Sequence, residues 1–209
     1  MTDVKICGLS TRATVDAAVG AGASHLGFVF FGPSPRNVAP DAAAALGRGL
    51  PSHVVRVGVF VDPDDALLDR AAPVLDVLQL HGASPARLAT VRARFGRPVW
   101  RAAGVATAAD VRAAIAAARG ADRLLFDAKA PTDAALPGGN GVRFDWRLLG
   151  GVVIDGAWGL SGGLDAATVG DAISLTRAPL VDVSSGVEDA PGVKSVDKIR
   201  AFIAAAKAA

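Results

Sequence analysis

The sequence predicts an α/β fold, a single-domain (β/α)8 TIM barrel spanning residues 1–209. Three observations favour this fold: short runs rich in Val, Ile and Leu recur along the chain, alanine-rich stretches with helical spacing separate them, and the strand–helix unit of about 25 residues recurs eight times. Parallel strands covered on both faces are expected to be almost continuously apolar, as these runs are. A chain of 209 residues that is 51% apolar can bury such a core.

Each predicted strand is a short apolar run of the length and composition typical of strands. In chain order they are Val4–Cys7, His25–Phe30, Val54–Phe60, Asp76–Leu80, Pro98–Arg101, Arg123–Asp127, Ala157–Leu160 and Leu180–Ser184. The segment Val152–Ile154 is an alternative for the seventh strand, and we favour Ala157–Leu160.

Each predicted helix is an alanine-rich stretch with apolar residues at helical spacing, and several begin beside a Thr, Ser or Asp that caps the first turn. In chain order they are Arg12–Ala21, Pro40–Arg48, Asp64–Ala71, Pro85–Phe95, Ala108–Arg119 and Leu164–Ile173. The sixth interval differs, because Pro131, Pro137, Gly138 and Gly139 between Lys129 and Asn140 indicate a long mobile loop.

A doubly wound sheet is the alternative fold. It would normally have fewer strand–helix units and a Gly-rich phosphate loop after its first strand, whereas Cys7-Gly8-Leu9 follows here without a G-x-G-x-x-G motif. Every Gly/Pro cluster falls where a loop of one barrel is expected, so we expect no domain boundary.

Charge and composition exclude several classes of partner. Net charge is +2, from 22 Lys and Arg against 20 Asp and Glu, and no aromatic residues interleave the scattered basic ones, so we expect no nucleic acid. Apolar stretches are interrupted well before the roughly 18 residues of a membrane helix, so we expect no membrane contact.

One cysteine and a start without a secretory signal indicate the cytoplasm. For the oligomeric state, the sequence is compatible with a monomer and with a homodimer.

Cys7 ends the first predicted strand. Active sites of this fold form at the C-terminal ends of the strands, so the polar residues found there are the candidates. A positive field from Lys5, Arg36 or a helix N-terminus would lower the pKa of the thiol enough for it to act as a base or nucleophile. The alternative is a buried cysteine acting as a small apolar residue.

Asp127 ends the sixth predicted strand, after an apolar run. Burial there would raise its pKa and keep part of it protonated, as a general acid requires. The alternatives are a helix N-cap or a salt bridge to Lys129. Strands one and six lie across a small barrel, so Cys7 and Asp127 are expected to face opposite sides of one sugar.

Two glycine-containing segments follow strands seven and eight, at the positions where many barrels bind phosphate through backbone N–H groups. They are Gly162-Gly163 and Ser184-Ser185-Gly186, and together they favour a phosphorylated small-molecule substrate. Arg36 is a candidate clamp for a second anion, and its alternative is a solvated surface arginine.

The remaining candidates are Asp182 and His81. Asp182 lies in an apolar run, where a buried charge needs a partner or a ligand hydroxyl. His25 and His53 lie at strand starts and are assigned no chemistry. The three histidines are far apart, with no carboxylate at zinc-like spacing, so we expect no metal site.

Nine short motifs at the strand ends occur in a fixed order: Lys5-Ile6-Cys7-Gly8-Leu9, Gly27-Phe28-Val29-Phe30, Ser34-Pro35-Arg36, Val57-Gly58-Val59-Phe60, Gln79-Leu80-His81-Gly82, Pro137-Gly138-Gly139, Phe144-Asp145-Trp146, Gly162-Gly163-Leu164 and Val181-Asp182-Val183-Ser184-Ser185-Gly186-Val187-Glu188. Together they resemble the phosphoribosylanthranilate isomerase family of tryptophan biosynthesis almost from end to end. The chain departs from that family's pattern at Asn140, where the sixth loop of the family has Thr, and the departure puts only the loop's own contacts in doubt.

The resemblance implies an Amadori rearrangement of N-(5-phosphoribosyl)anthranilate that needs no cofactor. It implies that Asp127 is the general acid, Cys7 the general base, and Arg36 the group that holds the anthranilate carboxylate. It further implies that the substrate phosphate is bound by the backbone of Gly162, Gly163, Ser184, Ser185 and Gly186, with Asp182 and His81 in support. A loop through Pro137-Gly138-Gly139 is expected to close over the substrate.

Two alternative functions remain open. One is a different reaction on the same barrel, either a bifunctional isomerase that also processes a histidine-pathway aminoaldose or a sugar-phosphate epimerase. An epimerase is expected to have paired carboxylates or metal ligands, and a dual-substrate enzyme carboxylates at both catalytic strand ends, whereas this chain has Cys7 at the first. The other is a non-catalytic barrel that only binds a phosphorylated metabolite or a partner.

Overall fold

The computed structural model describes residues 2–131, 136, 138–139 and 141–209. Eight parallel strands form a closed barrel in chain order, which confirms the predicted fold class. They are β1 Asp3–Cys7, β2 His25–Phe30, β3 Val55–Val61, β4 Val77–His81, β5 Val99–Val105, β6 Arg123–Ala128, β7 Ala157–Leu160 and β8 Leu180–Val183. The barrel closes where Val4 of β1 pairs with Val181 of β8.

Seven α-helices lie among the described residues. They are α1 Arg12–Ala21, α2 Pro40–Leu46, α3 Asp65–Ala71, α4 Pro85–Phe95, α5 Ala108–Ala117, α6 Val169–Thr176 and α7 Val196–Ala208. Predicted bounds match for α1 and α4, and the predicted Thr, Ser and Asp caps are confirmed at Thr11, Asp64, Ser84 and Thr107. None of the helices in the described ranges is long and apolar enough to cross a bilayer.

The end of the chain differs most from the prediction. The helix predicted over Leu164–Ile173 begins only at Val169, because the Asp165 side chain accepts from the backbone of Ala167 and from the Thr168 hydroxyl and so holds a turn there. Helix α7 was not predicted. A short antiparallel pair, β9 Glu188–Ala190 and β10 Val193–Lys194, was also missed.

Smaller differences lie at other element ends. Strand β7 has the favoured bounds, and Val152–Ile154 lies outside any strand. Strand β5 continues to Val105 instead of ending at Arg101, because its pairing with β6 extends to the register of Val105 with Ala128.

The barrel interior changes from apolar to polar along its axis. At the N-terminal end the Trp100 ring lies 5.3 Å from the His25 ring and 4.7 Å from the Arg123 guanidinium, which closes that end. Above Trp100, the inward-facing side chains of several strands carry charge or hydrogen-bonding groups: Lys5, Cys7, Gln79, Asp127 and Asp182. The fold therefore leaves one end for a polar cavity.

Candidate active site

One cavity at the C-terminal ends of the strands collects nine of the ten site residues predicted from the sequence. They are Cys7, Arg36, His81, Asp127, Gly162, Gly163, Asp182, Ser184 and Ser185. Gly186 does not line the cavity. Its Cα packs so closely on the Leu164 carbonyl that no side chain would fit, so its lack of a Cβ serves packing.

A buried ion pair lies beneath the cavity. Lys5 Nζ of β1 donates to Asp182 Oδ2 of β8 at 2.8 Å, and Lys5 is fully buried. Asp182 therefore has the partner that a buried carboxylate requires. Its second oxygen, Oδ1, is buried without a hydrogen-bond partner among the described residues, which leaves an acceptor for a ligand hydroxyl.

Cys7 lies beside Lys5 at the end of β1. Burial raises the pKa of the Cys7 thiol; the charge of Lys5 opposes this, that of Asp182 adds to it, and that of Lys194 opposes it. The expectation of a lowered Cys7 pKa is therefore wrong for the unliganded protein, because desolvation of the thiolate outweighs the two lysines. Arg36, predicted as a source of positive field, is engaged elsewhere.

Asp127 lies near the end of β6 and is 8% exposed. Burial raises its pKa to about 7, the charge of Asp182 adds to the shift, and a hydrogen bond from the Ala128 N–H and the charge of Lys5 oppose it. Lys129, the alternative salt-bridge partner, contacts Asp110 at 3.3 Å instead. Asp127 is thus a carboxyl that is partly protonated near neutral pH, as predicted from its place in the sequence.

Gln79 and His81 come from alternate positions of β4 and both line the cavity. Gln79 Nε2 and His81 Nε2 lie 3.3 Å apart, and the buried Gln79 Oε1 has no hydrogen-bond partner within the described part of the chain. Burial, followed by the charge of Lys5, lowers the pKa of His81 to about 4. His81 is therefore neutral at neutral pH.

Arg36 follows β2 and is 5% exposed, so it is no surface arginine. Its Nε and Nη2 donate to the two carboxylate oxygens of Glu188 at 2.7 and 2.8 Å, and Nη2 also donates to the Gly139 carbonyl at 3.2 Å. One edge of the guanidinium fork is therefore already occupied. Nη2 is shared with the Gly139 carbonyl, so a ligand carboxylate would meet the guanidinium at Nη1.

Glu188 joins Arg36 to Lys194, whose Nζ donates to Glu188 Oε1 at 2.7 Å and to the Ser184 carbonyl at 2.8 Å. Burial alone would raise the pKa of Glu188, but the hydrogen bond from Arg36, followed by the charge and hydrogen bond of Lys194, lowers it overall. This ion cluster fixes the segment after β8 against the cavity.

The glycines after β7 make the cavity wall there from backbone. Gly162 has φ +88° and lies against the Ala128 N–H, and Gly163 has φ +65° with its Cα close to the Val142 carbonyl. After β8, Ser185 begins a one-turn 3-10 helix over Ser185–Val187. Gly162, Gly163, Ser184 and Ser185 therefore line the part of the cavity where the sequence predicts a phosphate site.

The segment after β6 reaches over the cavity. A Cβ atom at Gly138 would lie 2.6 Å from Asp127 Oδ2, and one at Gly139 would lie 2.7 Å from Arg36 Nη1. These glycines allow the backbone to approach both side chains. Pro137 and Asn140, which belong to the loop expected to close over a substrate, lie outside the described residues.

Four residues of the site were not assigned roles from the sequence: Lys5, Gln79, Glu188 and Lys194. Three of them lie within motifs that had been singled out, and Lys5 had been considered only as one source of positive field. A signal for Lys5 existed, because it shares the inward face of β1 with Cys7 two positions away. Lys194 lies in a short strand that the apolar pattern does not reveal.

Comparison with known proteins gives consistent matches over the whole chain. The family model described as N-(5'phosphoribosyl)anthranilate (PRA) isomerase matches residues 4–205. The N-(5'-phosphoribosyl)anthranilate isomerase of Paracoccus denitrificans (strain Pd 1222) is 58% identical over 98% of this chain and 97% of that protein. The enzyme of that name from Paramagnetospirillum magneticum (strain ATCC 700264 / AMB-1) is 52% identical over the same shares.

Solved structures agree. A phosphoribosyl anthranilate isomerase in complex with reduced 1-(o-carboxyphenylamino)-1-deoxyribulose 5-phosphate is 36% identical, with a TM-score of 0.85 and full coverage of both chains. The phosphoribosyl anthranilate isomerase of Thermotoga maritima is also 36% identical, with a TM-score of 0.87 and full coverage of both chains.

Proposed function

The chain belongs to the N-(5'-phosphoribosyl)anthranilate isomerase family, and we propose that it catalyses the Amadori rearrangement of N-(5-phosphoribosyl)anthranilate in tryptophan biosynthesis. The product is 1-(2-carboxyphenylamino)-1-deoxy-D-ribulose 5-phosphate, so the enzyme is an aldose–ketose isomerase. One observation carries the mechanism: a thiol from β1 and a partly protonated carboxyl from β6 line the same cavity. Both roles were predicted from the resemblance and stay proposals.

Asp127 is the proposed general acid. Its carboxyl donates a proton to the ribose ring oxygen as the bond from that oxygen to C1 breaks, and the anilino nitrogen supplies the electron pair that forms the iminium ion. Its pKa of about 7 supports this role, because a carboxyl of ordinary pKa would hold almost no proton at neutral pH.

Cys7 is the proposed general base. Its thiolate removes the proton from C2, and the electrons of that C–H bond form a double bond to C1, which neutralises the iminium ion and gives an enolamine. The enolamine then gains a proton at C1 and loses one from the C2 hydroxyl, which leaves the ketone. No atoms are gained or lost overall, and every step is a proton transfer, so the proposal includes no cofactor and no metal.

The two ends of the substrate are proposed to bind at opposite walls of the cavity. Arg36 would hold the anthranilate carboxylate through Nη1, and the backbone of 162–163 and 184–186 would hold the phosphate. Asp182 Oδ1, buried without a partner in the described residues, would accept from a sugar hydroxyl. Binding energy from these remote groups holds C2 and the ring oxygen near the base and the acid.

Further assignments belong to the same proposal. We propose that the whole chain forms one barrel domain, that it acts in the cytoplasm on a small phosphorylated molecule without nucleic acid or membrane, and that it is a monomer or a homodimer. A related Thermotoga maritima structure is described as monomers generated from a dimeric phosphoribosylanthranilate isomerase, and for this reason the proposal includes the homodimer.

Complementation tests the function. The gene is expressed in a bacterial strain that lacks the isomerase, on medium without tryptophan, and growth is expected. The same gene carrying Asp127→Asn is the control and is expected not to support growth. Absence of growth with soluble wild-type protein would overturn the proposal, and conversion of N-(5-phosphoribosyl)anthranilate by purified protein gives a second readout.

A further inference from the structure

Lys5 has the smallest exposed fraction of the buried charged residues in the described part of the chain. Its side chain lies inside the barrel beneath the cavity with no exposed surface, and its ammonium is held by Asp182 at 2.8 Å. Burial alone would lower its pKa, but the attraction of Asp182, followed by that of Cys7, raises the pKa of Lys5 overall. The ammonium therefore stays charged, at the end of a long side chain that points toward the cavity.

Lys5 and Cys7 both approach the backbone of Gly27. The two residues are two positions apart on β1 and so face the same side of the strand. Gly27 of β2 pairs with Cys7, and a Cβ atom there would lie 3.1 Å from Cys7 Sγ and 3.2 Å from Lys5 Nζ. The ammonium and the sulfur thus border the same small gap.

We propose that Lys5 is a positioning residue of the reaction: its buried ammonium, held in place by Asp182, stabilises the thiolate of Cys7. The catalytic part of this inference rests on the proposed function, in which that thiolate is the general base. A buried thiol without a neighbouring cation would remain protonated, and a protonated thiol cannot remove a proton from carbon.

The environment of Cys7 favours Lys5 over other cations for this role. Charged and titratable groups on several elements interact electrostatically with Lys5 or Cys7: Asp182 of β8, Asp127 of β6, His81 of β4, His25 of β2 and Lys194 of β10. Both histidines have a pKa of about 4 and are neutral at neutral pH. Lys194 is held by Glu188, whose carboxylate offsets its charge.

Alkylation of the protein measures the thiolate directly, because Cys7 is the only cysteine of the chain. Iodoacetamide reacts with the thiolate: the sulfur forms a bond to the methylene carbon as iodide leaves. We expect Lys5→Met to slow this reaction at neutral pH by about tenfold, the change that one pKa unit produces. Lys5→Arg, which keeps the charge, is expected to restore most of the rate.

The direction of the change in alkylation rate distinguishes loss of the Lys5 charge from loosening of the fold. Any loosening of the barrel would expose Cys7 and speed alkylation, whereas loss of a stabilising cation slows it. Asp182→Asn removes the anion that opposes the thiolate and is expected to speed the reaction. Lys207→Met is the matched control, since Lys207 lies on α7 and donates to the Ala21 carbonyl at 3.1 Å, and no change is expected.

The double variant Lys5→Met/Asp182→Asn covers the case in which Lys5→Met fails to fold, because it leaves no unpaired buried charge. It is expected to react more slowly than Asp182→Asn, from which it differs only at Lys5. A rate in folded Lys5→Met that is no slower than the wild type, or a rate in the double variant that is no slower than Asp182→Asn, would overturn the proposal. The rates are measured without substrate, so they test Lys5 even if the isomerase activity is not found.

Turnover gives the second readout. Lys5→Met is expected to lower kcat/KM while it moves the ascending limb of the pH profile upward, since Lys5 also lowers the pKa of Asp127 to a smaller extent. A folded Lys5→Met protein whose kcat/KM equals that of the wild type across the pH profile would overturn the inference.

Discussion

The Arg36 guanidinium and the Glu188 carboxylate form a buried bidentate pair, with Nε 2.7 Å from Oε1 and Nη2 2.8 Å from Oε2. The two side chains are 6% and 4% exposed. A guanidinium held this way cannot rotate, so Nη1 points in one direction. Rigid placement of a charged donor raises specificity for a planar carboxylate ligand.

Glu188→Gln is expected to let the Arg36 guanidinium rotate. We expect KM to rise about tenfold with a smaller change in kcat, because the carboxylate end of the substrate would be held less firmly. The unfolding free energy is expected to fall by about 3 kcal/mol, since two buried cations, Arg36 and Lys194, would lose their common anion. Steady-state kinetics and urea unfolding measure the two effects.

Asp189→Asn is the control for Glu188→Gln. Asp189 is the next residue along the chain but is exposed, and it pairs with Lys198 on the surface. Its substitution is expected to leave both stability and KM unchanged, because solvent screens a surface ion pair. A Glu188→Gln protein with unchanged KM would show that the bidentate pair does not place Arg36 for the substrate.

Asp127→Asn is expected to lower kcat by about a thousandfold, because an amide cannot donate the proton that opens the ring. Binding is expected to persist, since the amide keeps the shape of the carboxyl. Substrate turnover and titration with a product analogue measure the two separately. Residual activity within tenfold of the wild type would remove Asp127 from the acid role.

Asp127→Asn is also expected to change how the unfolding free energy depends on pH. The pKa of Asp127 is raised from 3.8 to about 7 on folding, so between these values the native state holds a proton that the unfolded state has lost. Stability of the wild type therefore falls as pH rises through this window. From about pH 5 to pH 8 we expect it to lose about 2–3 kcal/mol more than Asp127→Asn, measured by urea unfolding at both values. Parallel pH dependences would contradict the raised pKa.

The barrel and the position of its acid were predictable from the sequence because both depend on local pattern. Apolar runs identify buried strands, and Asp127 is the carboxylate that ends one of them. Arg36 and Glu188 are 152 residues apart, and their pairing depends on which loops meet at the barrel mouth. No local pattern contains that information.

The protonation state of Cys7 was mispredicted for a related reason. The lysine near Cys7 in the sequence suggests a lowered pKa. The direction of the shift, however, depends on the balance between burial and charges on several strands. Similarly, the start of α6 is set by a turn at Asp165 that apolar spacing does not reveal. A pKa shift that is the small difference between large opposing effects can be assigned only when the positions of the groups that cause it are known.

Gly27→Ala is expected to disturb the Lys5–Cys7 gap without introducing charge. The new Cβ would lie 3.0 Å from the Cys7 Cα, so the backbone or the ammonium must move. We expect a loss of about 1–2 kcal/mol in unfolding free energy and about a tenfold loss in kcat/KM. Gly20→Ala is the control: its site in α1 has open space, so stability should rise by about 0.5–1 kcal/mol with activity unchanged.

The pH profile of kcat/KM tests the two catalytic groups together. The proposed mechanism needs protonated Asp127 and deprotonated Cys7, yet the pKa of Asp127 is about 7 and that of Cys7 is raised from its ordinary value of 9.0. The required form is then a minor one, because the carboxyl loses its proton at a lower pH than the thiol does. Its fraction rises with pH until about 7, because each added pH unit frees more thiolate while Asp127 stays protonated. Above that value the gain in thiolate and the loss of the acid cancel. We therefore expect kcat/KM to climb through pH 7 and to stay level to at least pH 9. A profile that falls through pH 7 would mean that Cys7 ionises before Asp127, and the order of the two pKa values would be reversed.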